Sequence, residues 1–146
     1  MGTRFRSSNP EHQIYEDDVC LHAEAAEVLS AIDTVTGEIP GDCRSVLVYA
    51  HVEPTLAVGD TFDLYVQTRV GTLWVDVVHF TQILGNGLDV DLFDKVAASL
   101  AEANFDVATA LAADGARNII GDLWRCRWII AGATPSFVFS VSIHPM

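Results

Sequence analysis

Five histidines, three cysteines and twenty acidic side chains carry whatever side-chain chemistry this 146-residue chain can perform, and their spacing limits it. His22, Glu24 and Glu27 would face one another on a helix, and His51 and Glu53 share a strand face. Neither set supplies three ligands locally, so no metal site is expected. Asp76 and His79 lie three apart on one strand, which turns them to opposite faces and predicts no acid–base pair. Asp89, Asp91 and Asp94 in DVDLFDK suggest a calcium loop, but an EF-hand needs an oxygen ligand where Phe93 stands and a glycine next. They read instead as helix-start acids. The chain has no G-x-S-x-G elbow, no H-E-x-x-H and no P-loop; LGNGLD lacks the third glycine and the lysine of a phosphate loop. No catalytic residue and no cofactor are therefore expected, and the chain reads as a non-enzyme. Arg125 and Arg127 share a strand face; each either pairs with an acid such as Asp63 on a neighbouring strand or points outward to a partner, arginine being enriched at interfaces.

Eight basic against twenty acidic residues give a net charge of −12, with Lys95 the single lysine. Such a balance argues against wrapping DNA or RNA, which needs clustered Lys and Arg. Half of the residues are hydrophobic and 19% charged, the composition of a folded domain. No apolar run approaches the ~20 residues of a membrane helix. The opening MGTRFRSSNPEH lacks the apolar centre of a signal peptide, and three widely spaced cysteines fit a reducing compartment. Cys126 lies in phase with Trp124, Trp128 and Ile130 and reads as a small buried hydrophobe. A bridge between Cys20 and Cys43 stays open.

The elements that must position these groups are strands. SVLVYAHVE sets Val46, Val48, Ala50 and Val52 against Leu47, Tyr49 and His51. FDLYVQTRV sets Phe62, Leu64, Val66 and Val70 against a wetter side of Asp63, Tyr65, Gln67 and Arg69. Gly71-Thr72, glycine first, makes a two-residue hairpin turn into LWVDVVHF. LWRCRWII and FVFSVSI, separated by AGATPS, form the strongest strand pair: Trp124, Cys126, Trp128 and Ile130 on one face of the first, Phe137, Phe139, Val141 and Ile143 on one face of the second. Residues 19–32 allow either a short helix or an alternating strand. Residues 88–103 differ: Phe93, Val96, Ala97 and Leu100 recur at i, i+3, i+4 and i+7 and predict a short helix over about 89–103. The following NFDVATALAADGARNIIGD is expected to hold a strand and two turns. The predicted fold is all-β, an antiparallel, jelly-roll-like β-sandwich over residues 13–146 with that one helix inserted. Its expected core includes Phe62, Leu64, Val66, Trp128, Phe137, Phe139 and Val141. Residues 1–12 read as an extended arm in which Arg4 and Arg6 flank Phe5.

Two blocks of this pattern resemble small β-sandwich structural proteins of tailed-bacteriophage virions. The first is DTFDLYVQTRVGTLWVDVVHFTQ, with Val66-Gln67-Thr68, Trp74, Asp76 and Phe80 at the matching places. The second is ALAADGARNIIGDLWRCRWIIAG followed by TPSFVFSVSI, with Arg125, Arg127, Trp128, Pro135, Phe137, Phe139, Ser140 and Val141. The likeness covers about residues 45–87 and 108–146. It departs at residues 1–30, at 88–104, and at the hairpin turn, which is shorter here.

The resemblance implies a capsid decoration, or cement, protein made in the host cytoplasm and carried on the capsid surface. Its partners would be the major capsid protein or other virion subunits, and the implied assembly is a homotrimer. A place in the neck or tail, and a carbohydrate-binding sandwich marked by an exposed aromatic row, are the alternatives. Partner contacts are expected from Arg4, Phe5 and Arg6, which suit an acidic and partly apolar groove, and from Arg125 and Arg127.

Overall fold

The computed structural model describes residues 18–33, 36–54, 58–100 and 104–146. Ten strands follow one another: β1 (Val19–Glu27), β2 (Ala31–Ile32), β3 (Gly37–Glu38), β4 (Ser45–Glu53), β5 (Thr61–Val70), β6 (Leu73–His79), β7 (Ile83–Leu84), β8 (Val90–Ala97), β9 (Leu123–Ala131) and β10 (Phe137–Pro145). One sheet runs in the order β1-β10-β4-β8. The other runs β2-β9-β5-β6, with β3 also paired to β9 and β7 to β5. Every strand pairing among the described residues is antiparallel. The chain is an all-β sandwich.

Alternation explains the layers. Val46, Val48, Ala50 and Val52 of β4 and Phe137, Phe139, Val141 and Ile143 of β10 face inward from one sheet. Phe62, Leu64 and Val66 of β5 and Trp124, Cys126 and Trp128 of β9 meet them from the other. Phe139 is the hub: its ring centroid lies 4.8 Å from Phe62, 5.1 Å from Trp128 and 3.9 Å from the stacked imidazole of His22. Full burial of one such aromatic stabilises by about 1.5–3 kcal/mol, so these rings hold the layers together. All seven expected core residues are buried. Val70, expected on the same face, is exposed at the hairpin end. Gly71 takes a φ of 63°, the left-handed value needed at the first turn position between Val70 and Leu73.

Four expectations are corrected. The predicted helix over 89–103 does not form among its described residues, 89–100: residues 90–97 are strand β8, paired with β4 along eight positions from Val52↔Val90 to Ser45↔Ala97. Its inward side reads Val90, Leu92, Asp94, Val96. The aspartate interrupts the alternation, while Phe93 and Leu100, the supposed helix face, are exposed. An inward charge on an edge strand is a known guard against edge-to-edge pairing, and β8 is an edge. Next, β9 and β10 are not paired. They belong to opposite sheets, and their apolar faces meet across the core. Thirdly, residues 104–122 hold turns and a single bridge, Val78↔Ala116, in place of a strand. Lastly, Asp76 and His79 share a face, because a register shift after Val66↔Val78 leaves one extra residue before Gln67↔Asp76.

Residues 19–32 resolve as β1 and β2. The three cysteines are free thiols: Cys20 is exposed, Cys43 and Cys126 are buried. Burial, with Asp33 adding to it, holds the Cys126 thiol far above its ordinary pKa, as suits an inert core residue. The Arg4–Phe5–Arg6 arm lies outside the described residues.

Candidate functional site

The two outer faces of the sandwich differ in chemistry. On the six-stranded sheet, the side expected to be wet is largely buried. Tyr65, Gln67, Asp76 and His79 are buried, and Leu111, Gly115 and Arg117 of the following segment pack on Asp76 and His79. Arg127 of β9 reaches across β5 to Asp76 of β6 through Nε to Oδ1 at 3.1 Å and Nη2 to Oδ2 at 3.0 Å. Its guanidinium lies 3.6 Å from the Tyr65 ring centroid. Gln67 Nε2 donates to Asp76 Oδ1 at 2.9 Å, and Arg125 Nε donates to Gln67 Oε1 at 2.8 Å. Arg125 lies over Trp74 at 4.2 Å. The covering segment is tied down by Arg117, whose Nη1 donates to the Asp76 carbonyl at 3.0 Å and which lies 3.9 Å from the Phe105 ring. The Leu111 carbonyl also accepts from His79 Nδ1 at 2.7 Å.

Burial pushes the Asp76 carboxyl upward. The Arg127 and Gln67 hydrogen bonds, the Arg127 charge and the Leu111 N–H outweigh it and hold the pKa below the usual carboxylate range. Arg125 is lowered by burial and by the adjacent Arg127. Both arginines thus lie on the outer face of the sheet and are engaged within the chain, Arg127 by two hydrogen bonds to Asp76 and Arg125 by one to Gln67 and by the Trp74 ring. The acid paired with Arg127 is Asp76; Asp63 instead meets His79 Nε2 at 3.0 Å and Gln82 at 2.8 Å.

Among the described residues, the outer face of the four-stranded sheet is uncovered. Tyr49 of β4 and Phe93 of β8 are cross-strand partners with ring centroids 4.8 Å apart, and Phe93 is 61% exposed. With Asp18, Leu47, Asp91, Ser142 and His144 they line a shallow depression of about 470 Å³. His144 Nδ1 pairs with Asp18. Asp91 Oδ1 accepts from the Tyr49 hydroxyl at 2.9 Å and meets His51 Nδ1 at 2.7 Å. These two hydrogen bonds lower the Asp91 pKa and raise those of Tyr49 and His51. Beyond His51 lie Glu53 and Asp89, each about one charge-pair distance from Nε2. Asp89 and Asp91, expected as helix-start acids, are placed here by the β4–β8 register, in which His51 stands opposite Asp91. The sequence shows His51 and Glu53 as a pair. The acids that join them come from a strand that reads as a helix.

Comparison of the chain with protein-family models, with curated proteins and with solved structures found no match.

Proposed function

We propose that this chain is a non-enzymatic structural protein of a tailed-phage virion, and within that class a capsid decoration protein that binds the major capsid protein as a homotrimer. The observation that carries the reading is that the two sequence blocks behind the resemblance form one physical unit. Gln67, Trp74 and Asp76 from the first block and Arg125 and Arg127 from the second interlock across β6, β5 and β9. Phe137, Phe139 and Val141 lie in the core behind them. The charge of −12 suits a protein that meets other proteins and not nucleic acid.

In this reading Arg4, Phe5 and Arg6 grip a neighbouring subunit, and the exposed parts of Arg125 and Arg127 add contacts to it. The test is a mass-spectrometric copy count on purified particles of the phage that encodes the chain. A number in proportion to the shell subunits supports decoration, one or a few rings' worth moves the protein to the neck or tail, and absence from the particle overturns the proposal. Deleting residues 2–12 should leave the domain folded and weaken its binding to empty capsids, more so at high salt.

A second reading, a carbohydrate-binding sandwich, is favoured by the half-buried Tyr49 and the exposed Phe93 beside Asp91, Asp18 and His144. Aromatic faces with polar groups at their rim suit sugar rings. If it holds, Phe93→Ala and Tyr49→Ala should each abolish retention on a host-envelope polysaccharide column. No retention of the unaltered protein excludes it.

A further inference from the structure

We propose that His51, Glu53 and Asp89 form a binding site for a divalent metal ion of the zinc type, with Asp91 as the group that orients the histidine. The ligand atoms already converge: His51 Nε2 lies 3.9 Å from Glu53 Oε1 and 4.0 Å from Asp89 Oδ2, and all three atoms fall within 4.8 Å of one another. Zinc bound to nitrogen and carboxylate oxygen at about 2.0–2.2 Å in a tetrahedron needs ligand atoms about 3.3–3.5 Å apart. Closing the gap takes small rotations of two side chains that reach water: Glu53 is 41% and Asp89 57% exposed.

The backbone supplies the juxtaposition. His51 and Glu53 are alternate residues of β4 and project from the same face. His51 is the register partner of Asp91, and Asp89 lies two residues earlier, alongside Glu53.

The imidazole is set as a metal ligand needs to be. Asp91 Oδ1 takes the Nδ1–H at 2.7 Å, which turns Nε2 toward the two carboxylates. Asp91 is itself fixed by the Tyr49 hydroxyl at 2.9 Å. A carboxylate behind a ligating histidine is the usual way a protein fixes the ring and its tautomer. The charges point the same way: three carboxylates surround one imidazole, and among the described residues no arginine or lysine forms an ion pair with them.

The donor set selects the metal. One imidazole and two carboxylates suit zinc and its neighbours in the transition series, whereas calcium and magnesium favour oxygen alone. Three protein ligands leave a fourth position for water or for a donor from a bound partner.

Isothermal titration calorimetry of the full chain with zinc chloride, in a non-chelating buffer near pH 7.5, tests the site. Magnesium and calcium chloride serve as comparison titrants. Expected is saturable binding of a zinc ion that Glu53→Gln and Asp89→Asn each weaken at least about tenfold. Asp91→Asn, which leaves the three ligands in place, should weaken it by about 10–100-fold. Asp89 and Asp91 are exposed and Glu53 is half-buried, and circular dichroism checks that the variants keep the fold. The absence of saturable zinc binding overturns the proposal. So does zinc binding that fails to weaken in either ligand variant, or calcium or magnesium binding as tight as zinc.

Discussion

Arg127 and Asp76 are joined over the top of an intervening strand: the arginine on β9 and the aspartate on β6 meet in a two-pronged contact of 3.1 and 3.0 Å, with Tyr65 of β5 beneath the guanidinium. Asp76 also accepts from Gln67 and, at 3.4 Å, from the Leu111 N–H. Four segments thus depend on one carboxylate. Removing one partner of a largely buried ion pair leaves the other charge uncompensated and costs about 3–5 kcal/mol. Asp76→Ala is expected near the lower end of that range, since Arg127 retains some access to water. Urea denaturation of the two proteins measures it. A loss below about 1 kcal/mol, the scale of a surface pair, would show that the network carries little stability.

The same carboxylate sets a pH dependence. Its folded pKa lies below the ordinary value of 3.8, so the ionised form is favoured by folding. The stabilisation is therefore fully present above about pH 4 and is lost as the pH falls through the lowered folded value. Below pH 4 the unaltered protein should lose stability more steeply than Asp76→Asn, which has no charge there to lose. Thermal midpoints between pH 2 and 6 give the comparison, and parallel curves would remove Asp76 as the cause.

Legibility in the sequence followed the strength of the period-two signal. Where the inward face of a strand is apolar without a break, as in β4, β9, β10 and the first part of β5, alternation alone places Phe62, Trp128 and Phe139 in the core. It fails at single residues that break the count. Asp94 occupies an inward place on β8, so the remaining apolar residues mimic a helix face. One extra residue in β6 turns Asp76 onto the side of His79, which no strict alternation allows. The covering of the six-stranded face escapes for a different reason: residues 104–117 have no period, and their order comes from contacts such as Arg117 to the Asp76 carbonyl. The cluster at His51 is hidden because Asp89 and Asp91 lie some forty residues away and join His51 and Glu53 only through strand register.

Phe139 offers the plainest test of the core. It is fully buried among Phe62, Trp128 and His22, and it lies in the central part of the sheet between β1 and β4. Phe139→Ala removes the ring and leaves a cavity that three rigid rings cannot fill, at a cost of about 3–5 kcal/mol. Phe93→Ala, on the outer face of the same sheet, should change stability by less than about 1 kcal/mol, since its ring stays mostly in water. Equal losses in the two variants would contradict the assignment of inner and outer faces.

Asp94 is the residue at which folding and solubility pull apart. It stands opposite Val48, whose side chain is in the core, and burial raises its pKa despite a backbone hydrogen bond from Lys95 that acts the other way. A carboxyl whose folded pKa is raised costs stability once the pH is above that value, so at neutral pH this charge is a burden on the folded chain. Asp94→Val should therefore raise the thermal midpoint, because it completes the inward row Val90, Leu92, Val96 on β8. It should also remove the charge that keeps an edge strand from accepting another edge. The expected variant is more heat-stable at high dilution but shows greater concentration-dependent association by light scattering than the unaltered protein. Asp94→Asn separates the two effects: it relieves the buried charge while keeping a polar group at the edge, so its stability should rise with little added association. If Asp94→Val is less stable than the unaltered protein, the aspartate serves the packing of β8 on β4. If it is more stable and associates no more, the edge is guarded by something else.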